Sequence, residues 1–302
     1  LGEDPTPWQR AADAAEAALW EHCWDDEAGM FYDLDATGAH VRVDSDVLLR
    51  VLACGIGDAH TFEAALEAHL MRTTRFLGGY GLTSIAMDDP RFDHDYTRNS
   101  WAGPSNLLTA IRAPRAFERH GRVAELALVE APMLEALAHA DRFPQCVDPW
   151  TGTAGFTEAY SPAILWFLDA LERHAGITAR PDGEVWVSAL PPTRIGHGAA
   201  PVATAHARTV RGVRYEIAAD DERATVWRDG GRWLTFPRGW RVVLDADGEP
   251  SAVVGLASGT GAGTLTIAGT DVRLEAGPND RVDLSGGRPG AVTRIGMVAP
   301  RH

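Results

Sequence analysis

The chain has 302 residues, a formal charge of −14 and 28 basic residues, every one of them arginine. A nucleic acid or an anionic membrane needs a clustered positive face, so both are disfavoured as partners. Apolar residues make up 45%, enough for one large or two ordinary domains, and no run approaches the roughly 18 apolar residues of a membrane span.

Thr6-Pro7 reads as an N-cap followed by proline in the first turn. Trp8, Ala11, Ala12, Ala15 and Leu19 follow at helical spacing, so a first helix is expected to about His22. The next stretch, WDDEAGMFYDLDATG (Trp24–Gly38), is a loop of paired aromatics and acids. A second helix begins near Asp44-Ser45-Asp46 and runs through VLLRVLACGI; apolar nearly all round, it is expected to be buried. A third, Thr61 to about Thr74, has the pattern of an outer helix, with Phe62, Leu66 and Leu70 on one face. Cys23, Cys54 and Cys146 are widely spaced and odd in number, which argues against a disulfide framework or a zinc site. Free thiols point to a reducing, cytoplasmic compartment. The chain opens with Leu1 and no signal segment, so a processed protein or a piece of a longer one is expected.

Gly79 to Asn106, GYGLTSIAMDDPRFDHDYTRNSWAGPSN, dominates the organisation. Structureless stretches longer than about 12–15 residues are uncommon in compact domains and are usually functional or disordered. The aromatic content favours a structured binding loop. It leads into a fourth helix, about Ser105–His120, where Pro114 should kink the chain and Gly121 should cap it. A fifth covers about Arg122–Asp141, with a second kink expected at Pro132. After the polar loop Arg142–Tyr160, Ser161-Pro162 opens a sixth, AILWFLDALERHAG. Long loops precede helices two, four and six, and short ones precede three and five, as in three helical hairpins whose inner helices start from substantial loops. At Pro181 the hydrophobic period changes from 3.6 to 2, and short alternating runs punctuated by Asp229-Gly230-Gly231, Asp247-Gly248 and Gly269 predict an antiparallel β-sandwich. The expected division is therefore 1–178 α-helical and 184–302 β.

WDDEAGMFYDLD, the 79–106 stretch and DPWTG together resemble the (α/α)6-barrel glycoside hydrolases of the family 63 and mannosylglycerate hydrolase type, over roughly residues 8–176. Tyr80-Gly81-Leu82-Thr83-Ser84, Asp89-Pro90, Tyr96, Arg98 and Asn106 match the family's middle motif, whereas Thr97 and Asn99 replace its usual Trp and Gly. The resemblance implies a toroid of twelve helices, of which six are present here. It also implies a general acid in an upstream loop with no counterpart in this sequence, and a base at the position held by Gln145. Glutamine cannot take a proton at neutral pH. The sequence thus looks like the C-terminal half of a barrel with its sandwich, and the N-terminal half or a second copy is the expected partner.

Inverting hydrolysis of an α-linked glycoside needs an acid over the leaving oxygen and a carboxylate over a water, roughly 6.5–9.5 Å apart. Loop position nominates Glu158, an acid in the loop that enters the sixth helix, as that carboxylate, and the resemblance points to Gln145 as a group that orients the water. Tyr32, Asp33, Asp35, Arg98, Asn99, Trp101, Asn106 and Tyr160 are the candidate sugar contacts. Competing structural roles are an ion pair between Arg98 and nearby aspartates, core packing for Trp101, turn caps for Asp33 and Asp35, and a first-turn acid for Glu158. The 11 histidines show no ligand spacing, so neither metal nor cofactor is expected. With the acid outside the chain, the 302 residues alone are expected to be inactive. The other reading is a carbohydrate-binding or structural remnant that lost its chemistry.

Overall fold

The computed structural model describes residues 4–99, 101–191, 203–259 and 261–302. Its first part is helical. Helix α1 (Thr6–Ala18) is continued by a π-helical turn, Leu19–Cys23. Thr6 lies inside α1 rather than at its cap; its N–H donates to Asp4 Oδ1 (2.9 Å). Two small hairpins follow, β1 (Trp24–Asp25) with β2 (Met30–Phe31), and β3 (Asp33–Leu34) with β4 (His40–Val41). Helix α2 (Val47–Ala53) is buried through Leu48, Leu49 and Leu52. Helix α3 (Ala59–Ala65), capped by the Asp58 side chain on Thr61 N–H, also ends in a π-helical turn, Leu66–Leu70.

The 79–106 stretch is less irregular than its sequence suggests. It contains half of the hairpin β5 (Leu77–Gly78) with β6 (Gly81–Leu82), and it ends in β7 (Ser105–Asn106). Gly81 has φ +90°, and a Cβ there would run into Met133, which explains the glycine in that motif. The predicted fourth helix is cut rather than kinked. α4 (Leu107–Ala110) stops, and α5 (Ala113–Arg119) restarts with Pro114 in its first turn, where the missing N–H costs nothing. α6 (Val123–His139) runs unbroken through Pro132, and after β8 (Cys146–Val147) the chain enters α7 (Ser161–Ala175).

The second part is built from two six-stranded antiparallel sheets. In sequence order the strands are β9 (Ile177–Ala179), β10 (Val185–Ser188), β11 (Ala203–Val210), β12 (Val213–Asp220), β13 (Arg223–Arg228), β14 (Gly231–Pro237), β15 (Trp240–Leu244), β16 (Pro250–Gly255), β17 (Ala262–Ile267), β18 (Thr270–Glu275), β19 (Arg281–Ser285) and β20 (Arg288–Thr293). One sheet runs β20-β19-β16-β15-β10-β9 and the other β11-β12-β13-β14-β17-β18. Val187, Val242 and Val253 from the first face Ile217, Val226 and Phe236 from the second in one shared core. The β13–β14 hairpin closes through Asp229-Gly230 with both residues at positive φ, 50° and 80°, the backbone twist that matches paired strands.

The two parts are joined tightly. Arg241, fully buried, donates to Ser188 Oγ (3.0 Å) and to the Arg173 carbonyl (3.0 Å) at the end of α7. Burial pushes its guanidinium down to about 9. The chain then returns: Val298 lies in the helical core, Arg301 N–H donates to the Met71 carbonyl (2.9 Å), and the Arg301 carbonyl accepts from Thr73 N–H (2.8 Å). Among the described residues no helix is long and apolar enough to cross a membrane.

Candidate functional site

The loops that precede α2, α4 and α7 are tied into one belt by short antiparallel bridges. Ser45 pairs with Ile85, Thr83 with Ser105, Ser105 with Val147, and Val147 with Ala154. Backbone bonds fill the spaces: Asp46 N–H to the Ser84 carbonyl (2.9 Å), Leu107 N–H to the Gln145 carbonyl (3.0 Å), and Phe156 N–H to the Tyr96 carbonyl (2.8 Å). Most of the motif residues therefore act as ties. Asp89 accepts from Asp44 N–H (3.0 Å) and Arg91 N–H (2.8 Å), and Ser84 Oγ donates to the Pro104 carbonyl (3.1 Å). Such loops need internal partners for their backbone groups, and the bridges supply them.

The sequence candidates fall at different depths in this belt. Tyr32 is buried, with its hydroxyl donating to Asp44 Oδ1 (2.7 Å); burial and that bond raise its pKa. Asp33 is exposed on β3. Asp35 caps the β3–β4 turn, accepting from Thr37 Oγ1 (2.6 Å), Thr37 N–H (2.7 Å) and Ala39 N–H (3.0 Å). Those bonds, led by the Thr37 hydroxyl, hold its carboxyl below the usual range. Arg98 is exposed and forms ion pairs with Asp93 and Asp95, the latter at 3.0 Å. Asn99 beside it is exposed.

Asn106 is the N-cap of α4, its Oδ1 accepting from Leu108 N–H (2.9 Å), while its buried amide NH2 and the buried Ser105 hydroxyl have no hydrogen-bond partner among the described residues. Gln145 is buried immediately before β8, held by its own backbone to Leu107 and Phe156. Tyr160 is half-buried at the N-cap of α7, with its N–H on the Phe143 carbonyl (2.8 Å). Glu158 is exposed on the same loop and makes no ion pair or hydrogen bond to Arg98 or to Trp101 among the described residues. Immediately before it, Thr157 holds φ 71°, and its buried hydroxyl has no hydrogen-bond partner among the described residues. A β-branched residue in the left-handed region is a strained feature.

Trp101 is neither core nor free. The Arg50 guanidinium lies 5.2 Å from its ring centroid, within cation–π range. Arg50 also donates to Asp46 Oδ2 (2.9 Å), and the same oxygen takes the Thr109 hydroxyl. Sequence reasoning missed this cluster because Asp46 and Thr109 are 63 positions apart. The one visible hint was an arginine in an otherwise apolar helix. A second cluster is centred on Arg75, which bridges Asp44, Asp88 and His69. Desolvation first, and the neighbouring Arg75 second, hold His69 down to about 4.

The mannosylglycerate hydrolase MGH1-like glycoside hydrolase domain family matches residues 1–162, more than half of the chain. The chain belongs to that family. The glucose complex of the GH63 mannosylglycerate hydrolase from Thermus thermophilus is similar at 25% identity and a TM-score of 0.47, over 55% of this chain. This chain spans 41% of the length of that one. Neutral trehalase Nth1 from Saccharomyces cerevisiae is similar at 19% identity and a TM-score of 0.44, over 55% of this chain and 30% of its own. A sialidase structure matches 79% of this chain and 24% of its own at 15% identity and a TM-score of 0.53, a likeness of fold that reaches into both the helical and the β parts. No curated protein matches the chain. In this MGH1-like chain the family motifs and the belt coincide, so the residues that mark the family are those that fix the loops at the heads of α2, α4 and α7.

Proposed function

We propose that the protein is the part of an inverting glycoside hydrolase, acting on α-linked oligosaccharides or small glycosides, that carries the water-activating side of the site. The observation that carries this reading is strain beside an acid: Thr157 is held at φ 71° directly before the exposed Glu158, on the loop that enters α7. Strained backbone persists where the surrounding structure over-determines it, and such places cluster at functional sites. Glu158 takes the proton from water, and Gln145, whose amide can orient but not deprotonate, helps to position that water. Asp33, Arg98, Asn99, Trp101 and Tyr160 are the accessible sugar contacts, while Tyr32, Asp35 and Asn106 shape the loops behind them.

The general acid belongs to a segment outside these 302 residues, supplied by the N-terminal half of the barrel or by a second copy. Residues 1–178 and 184–302 form separate domains in this proposal. The free thiols of Cys23, Cys54 and Cys146 support a reducing, cytoplasmic setting.

The test is Glu158→Gln in an enzyme completed with its missing half. Turnover should fall by about tenfold or more, within the usual range for loss of general base help, while sugar binding survives. Full turnover by that variant refutes the assignment. The second reading, a carbohydrate-binding remnant, is favoured by one observation, the glutamine at the position of the family's base. It is separated by the same completed enzyme, which on that reading shows no hydrolysis at all.

A further inference from the structure

The belt carries one large aromatic surface that neither the core nor the proposed chemistry uses. Trp150 lies in the Asp148–Gly152 turn with 49% of its surface exposed. Its backbone is fixed from several sides. Asp148 Oδ1 accepts from the N–H groups of Trp150 (2.8 Å) and Thr151 (2.9 Å), the Asp148 carbonyl accepts from Gly152 N–H (3.0 Å), and the Pro149 carbonyl accepts from Tyr80 N–H (2.9 Å). The indole meets two rings, both steeply: Phe92 at 5.8 Å and 68°, and His94 at 5.1 Å and 64°. Neither lies flat on it. The loop that carries Phe92 and His94 is the one that carries Arg98, and it is pinned to the Trp150 side of the belt through the Tyr96 carbonyl, which accepts from Phe156 N–H (2.8 Å).

A large aromatic surface left exposed on a rigid backbone, braced at steep angles and without a flat neighbour among the described residues, is built for a flat partner. The π face of an aromatic ring is negative and attracts weakly positive C–H groups. One side of a pyranose ring presents such a row of C–H bonds. The other common flat partner, a nucleic-acid base, comes with phosphates that a chain of charge −14 repels. We propose that Trp150, braced by Phe92 and His94, is a stacking platform for a pyranose ring of the substrate, separate from the groups assigned to the water. The proposal rests on the glycoside reading above and adds a sugar subsite to it.

Isothermal titration of the 302-residue chain with methyl α-glucoside, methyl α-mannoside, trehalose and maltotriose tests it, using wild type, Trp150→Ala and Trp150→Phe. At least one sugar should bind. Trp150→Ala should weaken that binding by about tenfold, and Trp150→Phe, which keeps a π face, by no more than about threefold. Unfolding temperatures should stay alike, because the side chain is half outside. If a sugar binds equally well to Trp150→Ala, the platform is refuted while the glycoside reading stands. If no sugar binds the wild type, or if oligo(dT) binds it more tightly than any sugar, the platform falls and the glycoside reading loses its support as well.

Discussion

Thr157 offers the sharpest single-residue experiment. Left-handed geometry costs a residue with a Cβ about 1–2 kcal/mol, and the buried, unpartnered Oγ1 adds to that. Glycine removes both but frees the unfolded chain by about 0.5–1 kcal/mol. Thr157→Gly should therefore raise the melting temperature by about 2 °C, and in a completed enzyme it should lower turnover because Glu158 is no longer aimed. A lower melting temperature would show that Thr157 is not strained. His69 gives a second test. Its native pKa is about 4, against about 6.5 in an unfolded chain. Between those values only the unfolded state takes up the proton, so stability falls as pH drops from about 6.5 towards 4 and this contribution levels off below. The full loss is about 3 kcal/mol. Denaturant midpoints at about pH 7 and about pH 4.5 should differ less in His69→Asn than in wild type. The motif loops of the sequence are the ones the bridges tie together, so that grouping was legible. The sequence could not show that Arg50 lies on Trp101 or that Thr109 reaches Asp46, because those contacts depend on how distant segments pack rather than on local spacing.

Among the elements, α6 depends on a residue from the β part. Asn279 Oδ1 accepts from Ala124 N–H (2.7 Å) in the first turn of α6, and its amide donates to Glu125 Oε2 (2.7 Å) and to the Gly296 carbonyl (2.7 Å). Glu125 is completely buried. Asn279→Ala should cost about 2–3 kcal/mol, the sum of a lost cap and an under-satisfied buried carboxylate, read as a lower urea midpoint at unchanged slope. The helices were legible because their apolar periodicity runs over many residues. The break at Ile111–Arg112 was not, since a proline inside an apolar run is compatible with both a kink and a restart. β9, β11 and β20, which carry no clear apolar alternation in the sequence, are sheet edges. An edge strand packs against one neighbour and tolerates weak patterning, such as the alanines of β11 and the Pro-Gly of β20.

At the scale of the whole molecule, the first and last helices leave apolar surface uncovered. α1 buries no residue, and its Trp8 is 73% exposed. On α7, Ile164, Leu165 and Leu168 are exposed together. Contiguous apolar patches of this kind mark interaction surfaces. The chain alone should therefore associate in sedimentation velocity across a dilution series, and Leu165→Gln with Leu168→Gln should shift it towards monomer. A wild type that stays monomeric would rule out this surface as a contact.

The returning tail has a consequence for biosynthesis. The carboxylate of Glu125 receives the Val298 N–H (2.8 Å), and the strand-like contact at Met71–Thr73 is made by Arg301. The helical part is translated before the β part, yet its core is completed by a segment that follows the β part. On the ribosome it must wait, partly open, until the β part and the segment around Val298–Arg301 have emerged. Folding intermediates with exposed apolar surface aggregate readily, so the nascent helical part is the stage at which this protein most needs a chaperone.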